Sequence, residues 1–303
     1  MITVLIPNYN KAKWIPQCLQ SCLTQGSLLH EIIVVDDHST DNSWETLQSW
    51  KIKYPEIVKV FKNPKKGANL ARNFAFSKAT GGYIQWLDSD DYLLPGKFEN
   101  QIIPLQEGKA EIVYSDWRID YFDEGNFLTS EHKYYKDYED FLLELIKDNW
   151  TSPNNYLMTR KFAEKLDNGV GWNPETSVGQ DREYFTMAGI LGARFKYVAG
   201  IYAVYNSQNQ GTVSGIDFKE RLLLNQVLEN RFRKEIQASV LINVNLKKVY
   251  IDTLNTHLLK AKYYNNLIEV NENIRLSGIK WNMIHVKMRP IILWIYLKTK
   301  ISR

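Results

Sequence analysis

Residues 83–91 read YIQWLDSDD. A largely apolar run, Tyr83 to Leu87, passes straight into three carboxylates, Asp88, Asp90 and Asp91, interrupted only by Ser89. A short run of this kind, bounded by polar residues, reads as a strand covered on both faces, as in the interior of a parallel sheet. The same plan repeats toward the N-terminus. Gly67 opens a helix carrying Leu70, Phe74 and Ala75, and the spacing predicts that Gly81-Gly82 closes it. Val58 to Phe61 is a third strand, and Ile32 to Val35 is a second, ending at Asp36-Asp37. Asp41 or Ser43 is placed to cap the intervening helix, which continues to about Lys51. Ile2 to Ile6 is the first strand. Ile15, Cys18, Leu19, Cys22 and Leu23 follow at helical spacing, with Pro16 tolerated in the first turn. Strands alternating with helices of roughly 10–15 residues predict an α/β fold, a mostly parallel Rossmann-like sheet flanked by helices. In such sheets ligands bind beyond the carboxyl ends of the strands. Asp36, Asp37, Asp88 and Asp90 all follow strand ends, so they gather at one edge, where they repel one another unless cations or hydrogen-bond donors hold them.

Beyond Asp91 the pattern is less regular. Glu111 to Trp117 and Tyr156 to Thr159 read as strands, and Tyr138 to Lys147 as an amphipathic helix. A helix from about Asp181 to Leu191 precedes a strand near Arg194 to Val198, and Ser207 to Gly215 reads as a mobile polar loop. A boundary near residue 216 divides the chain into a domain over residues 1–216 and a helical extension over residues 217–303. With 44% hydrophobic and 13% aromatic residues the chain can bury a large core, which excludes a disordered protein. A net charge of +4 gives no bulk support for nucleic-acid binding. No apolar run approaches the ~20 residues of a membrane span. The N-terminus opens directly into a strand without the pattern of a signal peptide, so a cytoplasmic location is expected. Cys18 and Cys22, four apart on an apolar helix face, are expected as core residues rather than ligands.

Asp88 and Asp90 offer the hard oxygen ligands that Mg²⁺ or Mn²⁺ prefers, and a cation there would neutralise a departing diphosphate. The competing reading is a polar turn in which Asp91 caps a helix beginning near Pro95. Asp37 is suited to accept hydrogen bonds from a base or ribose, or else to cap the next helix. Arg72 would aim a cation at the same edge, suited to phosphate, or stand as a surface arginine. Tyr9 would stack on a nucleobase, while Asn10 beside it is an equally good helix cap.

Taken together, four segments resemble the family-2 glycosyltransferases, which have the GT-A fold: VLIPNYNKAKWIPQCLQSCLTQ, EIIVVDDHSTDNS, GANLARNFAFSKATGGYIQWLDSDDYLLPGKFENQI and VGQDREYFTMAGILGARFKYV. They occur in the family's order and lie within residues 1–205. The resemblance implies that Pro7 and Tyr9 line a nucleobase pocket, that Asp37 contacts the base and that Arg72 belongs to the donor site. It implies Asp90 as the metal ligand, with Asp88 facing the ribose or the metal shell, and Mn²⁺ or Mg²⁺ as cofactor. Asp181 matches the catalytic base of an inverting transfer from a nucleotide diphosphate sugar to an acceptor hydroxyl. Two departures stand out: Asn206, Ser207 and Gln208 occupy a stretch where many members carry arginine and histidine, and Gln180 stands where glutamate is commoner.

Residues 279–303 mix Trp281, Ile284, Met288, Trp294 and Tyr296 with Lys280, Lys287, Arg289, Lys298, Lys300 and Arg303, with no acidic residue. This composition suits peripheral contact with an anionic membrane, or a helix packed on the catalytic domain with a solvated basic face. Membrane contact would fit a saccharide acceptor carried on a lipid, in cell-surface polysaccharide or glycolipid assembly. A catalytically inactive nucleotide-sugar-binding protein of the same fold is the alternative. A dinucleotide-dependent oxidoreductase is disfavoured, because Pro7-Asn8-Tyr9-Asn10 holds no glycine of a Gly-x-Gly-x-x-Gly loop.

Overall fold

A computed structural model describes residues 1–149, 151–169, 171–208 and 218–256. The boundary expected near residue 216, the greater part of the loop expected over 207–215, and the basic tail over 279–303 lie outside them. The elements run β1 (Ile2–Asn8), α1 (Ile15–Leu23), β2 (Leu29–Asp36), α2 (Ser43–Lys53), β3 (Val58–Lys62), α3 (Ala68–Lys78), β4 (Tyr83–Trp86), β5 (Tyr92–Leu93) and α4 (Lys97–Gln106). They continue through β6 (Ile112–Asp123), β7 (Asn126–Lys133), α5 (Phe141–Ile146), β8 (Leu157–Thr159), α6 (Arg160–Asp167), α7 (Gln180–Ile190), β9 (Phe195–Gln208) and α8 (Phe218–Ala238). Residues 244–256 are again helical.

Among the described residues one sheet carries the order β3-β2-β1-β4-β8-β6-β9-β5, with β7 paired to β6. The first four of these strands are parallel, and β6 is parallel to β9, while β8, β7 and β5 run antiparallel to their neighbours. Alternate residues of the central strands face two separate apolar layers. Leu5, Ile33 and Val35 join the layer built with α3, α5, α6, α7 and α8. Val4, Ile6, Ile32 and Val34 join the one built with α1, α2 and α4. Burial on both faces is why these strands read as unbroken apolar runs. Cys18 and Cys22 lie in the second layer as free, buried thiols. Leu228, Phe232 and Ile236 of α8, and Tyr250 and Leu254 beyond it, are buried in the first layer alongside Trp172 and Tyr184. No helix among the described residues is long and apolar enough to cross a membrane.

Register sets the acidic edge. Asn8 pairs with Asp36 and Asp36 with Lys62, so β1, β2 and β3 end level. β4 ends earlier, with Trp86 opposite Leu5, so that Asp88, two residues on, is carried toward the same edge.

Several local expectations are corrected. The N-cap of α2 is Asn42, without a side-chain cap bond. Asp41 instead accepts from the backbone N–H groups of Ser43 (2.9 Å) and Ala12 (3.1 Å), tying the two loops together. The helix expected over 138–147 is shorter, because Asp140 caps it by accepting from the N–H of Leu143. α3 stops at Lys78 with extended backbone at Ala79, so Gly81 is not its cap. Gly81 is small for a packing reason: a Cβ there would lie 2.6 Å from Thr3 Oγ1. The strand expected near 194–198 runs on to Gln208 as β9, into the stretch expected as a loop from Ser207.

Candidate active site

The exits of β1 and β2 build one wall. Asp36 holds them together, accepting from Asn8 Nδ2 (2.9 Å) and Ser39 Oγ (2.6 Å). Asp37 is buried and accepts from the N–H of Gly67 through both carboxylate oxygens (2.8 and 3.0 Å) and from Asn63 Nδ2 (2.7 Å). Gly67 has φ +145, a conformation that L side chains rarely adopt, and this sets the start of α3 against Asp37. Tyr9 is 43% exposed at the rim, with Lys66 Nζ 4.9 Å from its ring centroid.

α3 then delivers Arg72, whose buried guanidinium is held by three side chains. Its Nη2 donates to Asp88 Oδ1 (2.8 Å), and its Nη1 to Asn69 Oδ1 (3.1 Å) and Gln180 Oε1 (2.9 Å). The group lies 4.5 Å from the centroid of the Trp172 ring. Gln180, one of the two departures from the family pattern, is thus the acceptor that joins Arg72 to α7. The other departure also has a place: Asn206 is buried in β9, its N–H donates to Asp91 Oδ1 (2.9 Å), and its Nδ2 donates to the backbone oxygen of Asp90. Asn154 Nδ2 (3.0 Å) also donates to Asp91. Asp91 therefore braces the acidic turn from inside and caps no helix, since α4 begins after Gly96. Burial, followed by the charges of Asp90 and Asp88, pushes the Asp91 carboxyl well above its ordinary value.

Asp90 Oδ2 is paired with Lys11 Nζ at 2.6 Å. Burial pushes the Asp90 carboxyl up, against the pull of Lys11. The sequence reading did not single out Lys11, and only its position two residues after Tyr9 pointed to the same edge. Asp88 and Asp90 fit a hard divalent cation of the kind that takes one or two carboxylates from the protein and its remaining ligands from substrate phosphates and water. The Lys11 ammonium shows that Asp90 takes positive charge from the cavity side. Among the described residues no group of three or more His, Cys, Asp or Glu side chains could hold a metal by itself.

Asp181 comes from the first turn of α7, after Gly179 in left-handed conformation. The helix dipole favours its charged form there. Burial outweighs this: with Arg72 pulling down and Asp88 pushing up, the carboxyl is raised from 3.8 to about 7. Among the described residues no donor is hydrogen-bonded to it. Pro7, Tyr9, Asp37, Arg72, Asp88, Asp90 and Asp181 all line one cavity of about 540 Å³. Lys11, Tyr205, and Arg221 and Asn225 of α8 complete the walls; the α8 pair lies past the last matching segment, where the sequence carried no signal.

The chain that builds this cavity has counterparts among known proteins. Residues 3–167 match the family model described as Glycosyl transferase family 2. Over 120 residues the chain is 38% identical to the UDP-Glc:alpha-D-GlcNAc-diphosphoundecaprenol beta-1,3-glucosyltransferase WfaP of Escherichia coli, covering 40% of this chain and 47% of that one. The chain spans about half the length of the curated relatives it matches. Among solved structures, S. aureus TarS 1-349 in complex with UDP-GlcNAc superposes with a TM-score of 0.65 at 19% identity, over 96% of this chain and 78% of that one. The mannosyltransferase PcManGT from Pyrobaculum calidifontis, in complex with GDP-Man and Mn2+, gives 0.52 at 16% identity, over 98% and 86%. At these identities the two structures establish the shared architecture.

Proposed function

The chain belongs to glycosyl transferase family 2 with the GT-A fold, and on that premise we propose that it is an inverting, metal-dependent hexosyltransferase acting on a nucleoside diphosphate sugar. The observation that carries the proposal is that Asp181, raised to about 7, shares one cavity with the acidic pair Asp88 and Asp90. The Tyr9 ring offers a stacking face for the base, and Asp37, held rigid by Gly67 and Asn63, keeps acceptor capacity for base or ribose. Arg72 orients Asp88 and brings positive charge under the diphosphate. Mn²⁺ or Mg²⁺ held by Asp90 and Asp88 would supply charge neutralisation for the leaving diphosphate.

Asp181 takes the proton of the acceptor hydroxyl as that oxygen forms its bond to the anomeric carbon. On the opposite side the bond to the diphosphate oxygen breaks, and its electron pair leaves with the nucleoside diphosphate. The anomeric centre inverts, so an α-linked donor gives a β-linked product. A base with a pKa near the working pH is best matched to this transfer, and a fixed position matters more than high basicity.

UDP-hexoses are the first donors to test and lipid-linked saccharides the first acceptors, since the name of WfaP states both classes for that relative. Such an acceptor would hold the chain at the inner face of the cytoplasmic membrane, with residues 279–303 as the contact and residues 1–216 as the catalytic domain. The test is transfer from UDP- and GDP-hexoses to a diphospholipid-linked sugar, with the product's anomeric proton read by NMR. A large axial–axial coupling supports inversion from an α-gluco-configured donor. A retained α configuration, or hydrolysis without transfer by a protein that binds the donor, rejects the reading.

A further inference from the structure

We infer that α8, the first helix beyond residue 217, positions the Asp181 carboxylate through two crossed ion pairs with α7. The inference rests on Asp181 being the base. Arg182 and Glu183 follow Asp181 directly, and both side chains are almost fully buried, at 5% and 2% exposure, Arg182 within the cavity wall and Glu183 outside it. Arg182 Nη2 reaches Glu229 Oε1 on α8 at 3.3 Å, and the same guanidinium donates to the carbonyl oxygen of Ile146 at 3.0 Å. Glu183 Oε1 accepts from Arg231 Nη1 on α8 and from Asn173 Nδ2 at 3.3 Å.

The pairs have opposite polarity: a cation of α7 meets an anion of α8, and an anion of α7 meets a cation of α8. Arg182 is also held by Asp148 (3.3 Å) and by the carbonyl oxygens of Leu145 and Ile146, so the pair that depends on α8 most is the one at Glu183. Sliding or rolling one helix over the other breaks both pairs and leaves the buried Glu183 without its cation, so the arrangement specifies one register. A third contact pins the backbone. Gly179, the N-cap of α7, has φ +70, and a Cβ there would lie 3.0 Å from Leu228 Cδ2. Leu228, Glu229 and Arg231 thus hold the first turn of α7, which as a helix end would otherwise be free to fray. No hydrogen bond among the described residues fixes the Asp181 carboxylate itself, so its place depends on the backbone of that turn. Glu229 and Arg231 are therefore positioning residues: they act on the reaction through α7 and touch no substrate.

The test uses the full chain and three variants: Arg231→Ala, Arg231→Lys, and the double variant Glu183→Gln/Arg231→Met, which removes both charges and leaves none buried alone. Affinity for the UDP- or GDP-hexose that the wild type turns over is measured by calorimetry, and kcat and KM by transfer. We expect Arg231→Ala and the double variant to keep donor affinity within about twofold while kcat falls ~10- to 100-fold, the cost of a displacement of about 1 Å at the reacting centre. Arg231→Lys is expected to recover most of the rate. A merely structural pair would lower the melting temperature and leave kcat unchanged at 20 °C. Should Arg231→Ala not fold, the double variant decides: folded, with wild-type affinity and wild-type kcat, it overturns the inference. Asp181→Asn is run alongside. Transfer retained there sinks the base assignment itself, whereas transfer lost there beside wild-type rates in the α8 variants sinks only the positioning role.

Discussion

Asp181→Asn is expected to inactivate the protein and to stabilise it, with a stabilisation that grows with pH. The carboxyl is raised from 3.8 to about 7 in the folded chain, chiefly by burial. Between those two values the folded state holds a proton that the unfolded state has released, so stability falls as pH rises through this window. Below pH 3.8 the group contributes nothing, and above about 7 the whole penalty is present. Linkage gives a penalty of roughly 2 kcal/mol near pH 5 and roughly 4 kcal/mol at pH 8. Asparagine has nearly the same shape and no charge to bury, so the variant escapes the penalty at every pH. Urea unfolding of both proteins at pH 5, 6, 7 and 8 measures the difference. A gap that widens by about 2 kcal/mol from pH 5 to pH 8 is the expected result. Equal stabilities across that range, or a variant less stable at pH 8, would refute the claim that this cavity lifts the Asp181 pKa.

Three further outcomes follow from the same geometry. In the wild type, kcat should fall about tenfold per pH unit below pH 6, because Asp181 must be deprotonated to accept the hydroxyl proton; a flat profile from pH 5 to 8 would exclude it as the base. Lys11→Ala removes the ammonium 2.6 Å from Asp90 and should tighten binding of Mn²⁺ alone by up to about fivefold, the worth of a partly exposed pair, as read by calorimetry without nucleotide. Gly81→Ala forces a Cβ to within 2.6 Å of Thr3 Oγ1 and 2.9 Å of the Thr3 nitrogen, and should cost about 1–3 kcal/mol in urea unfolding without altering donor affinity.

The first four parallel strands were legible in the sequence. β1, β2 and β4 are apolar runs that pass into polar residues, with acidic ends on β2 and β4, while the edge strand β3 showed through the alternation of Val58 and Val60 with half-exposed neighbours. Asp181 was legible through its family segment and its place at a helix start. The outer half of the sheet was not. β5 is two residues long and owes its existence to β9, more than a hundred residues away, while β6 and β7 pair across a Glu124-Gly125 turn whose exposed second strand has no apolar alternation. The polar bracing was hidden for the same reason: Asn206 and Asn154 reach Asp91 only after β9 and the turn at Pro153–Asn155 are in place. The sequence pointed to Arg72 as a cation at this edge, where it lines the cavity, but its bonds to Asp88, Asn69 and Gln180 are encoded by no local pattern.

The most direct test of the central claim is calorimetric binding of nucleoside diphosphates and nucleotide sugars, with and without Mn²⁺, to wild type and Asp90→Asn side by side. Metal-dependent binding of one nucleotide class by the wild type, lost in the variant, is the result expected if Asp88 and Asp90 face a diphosphate. Absence of binding by folded wild-type protein, or equal metal-dependent binding by both proteins, would contradict it.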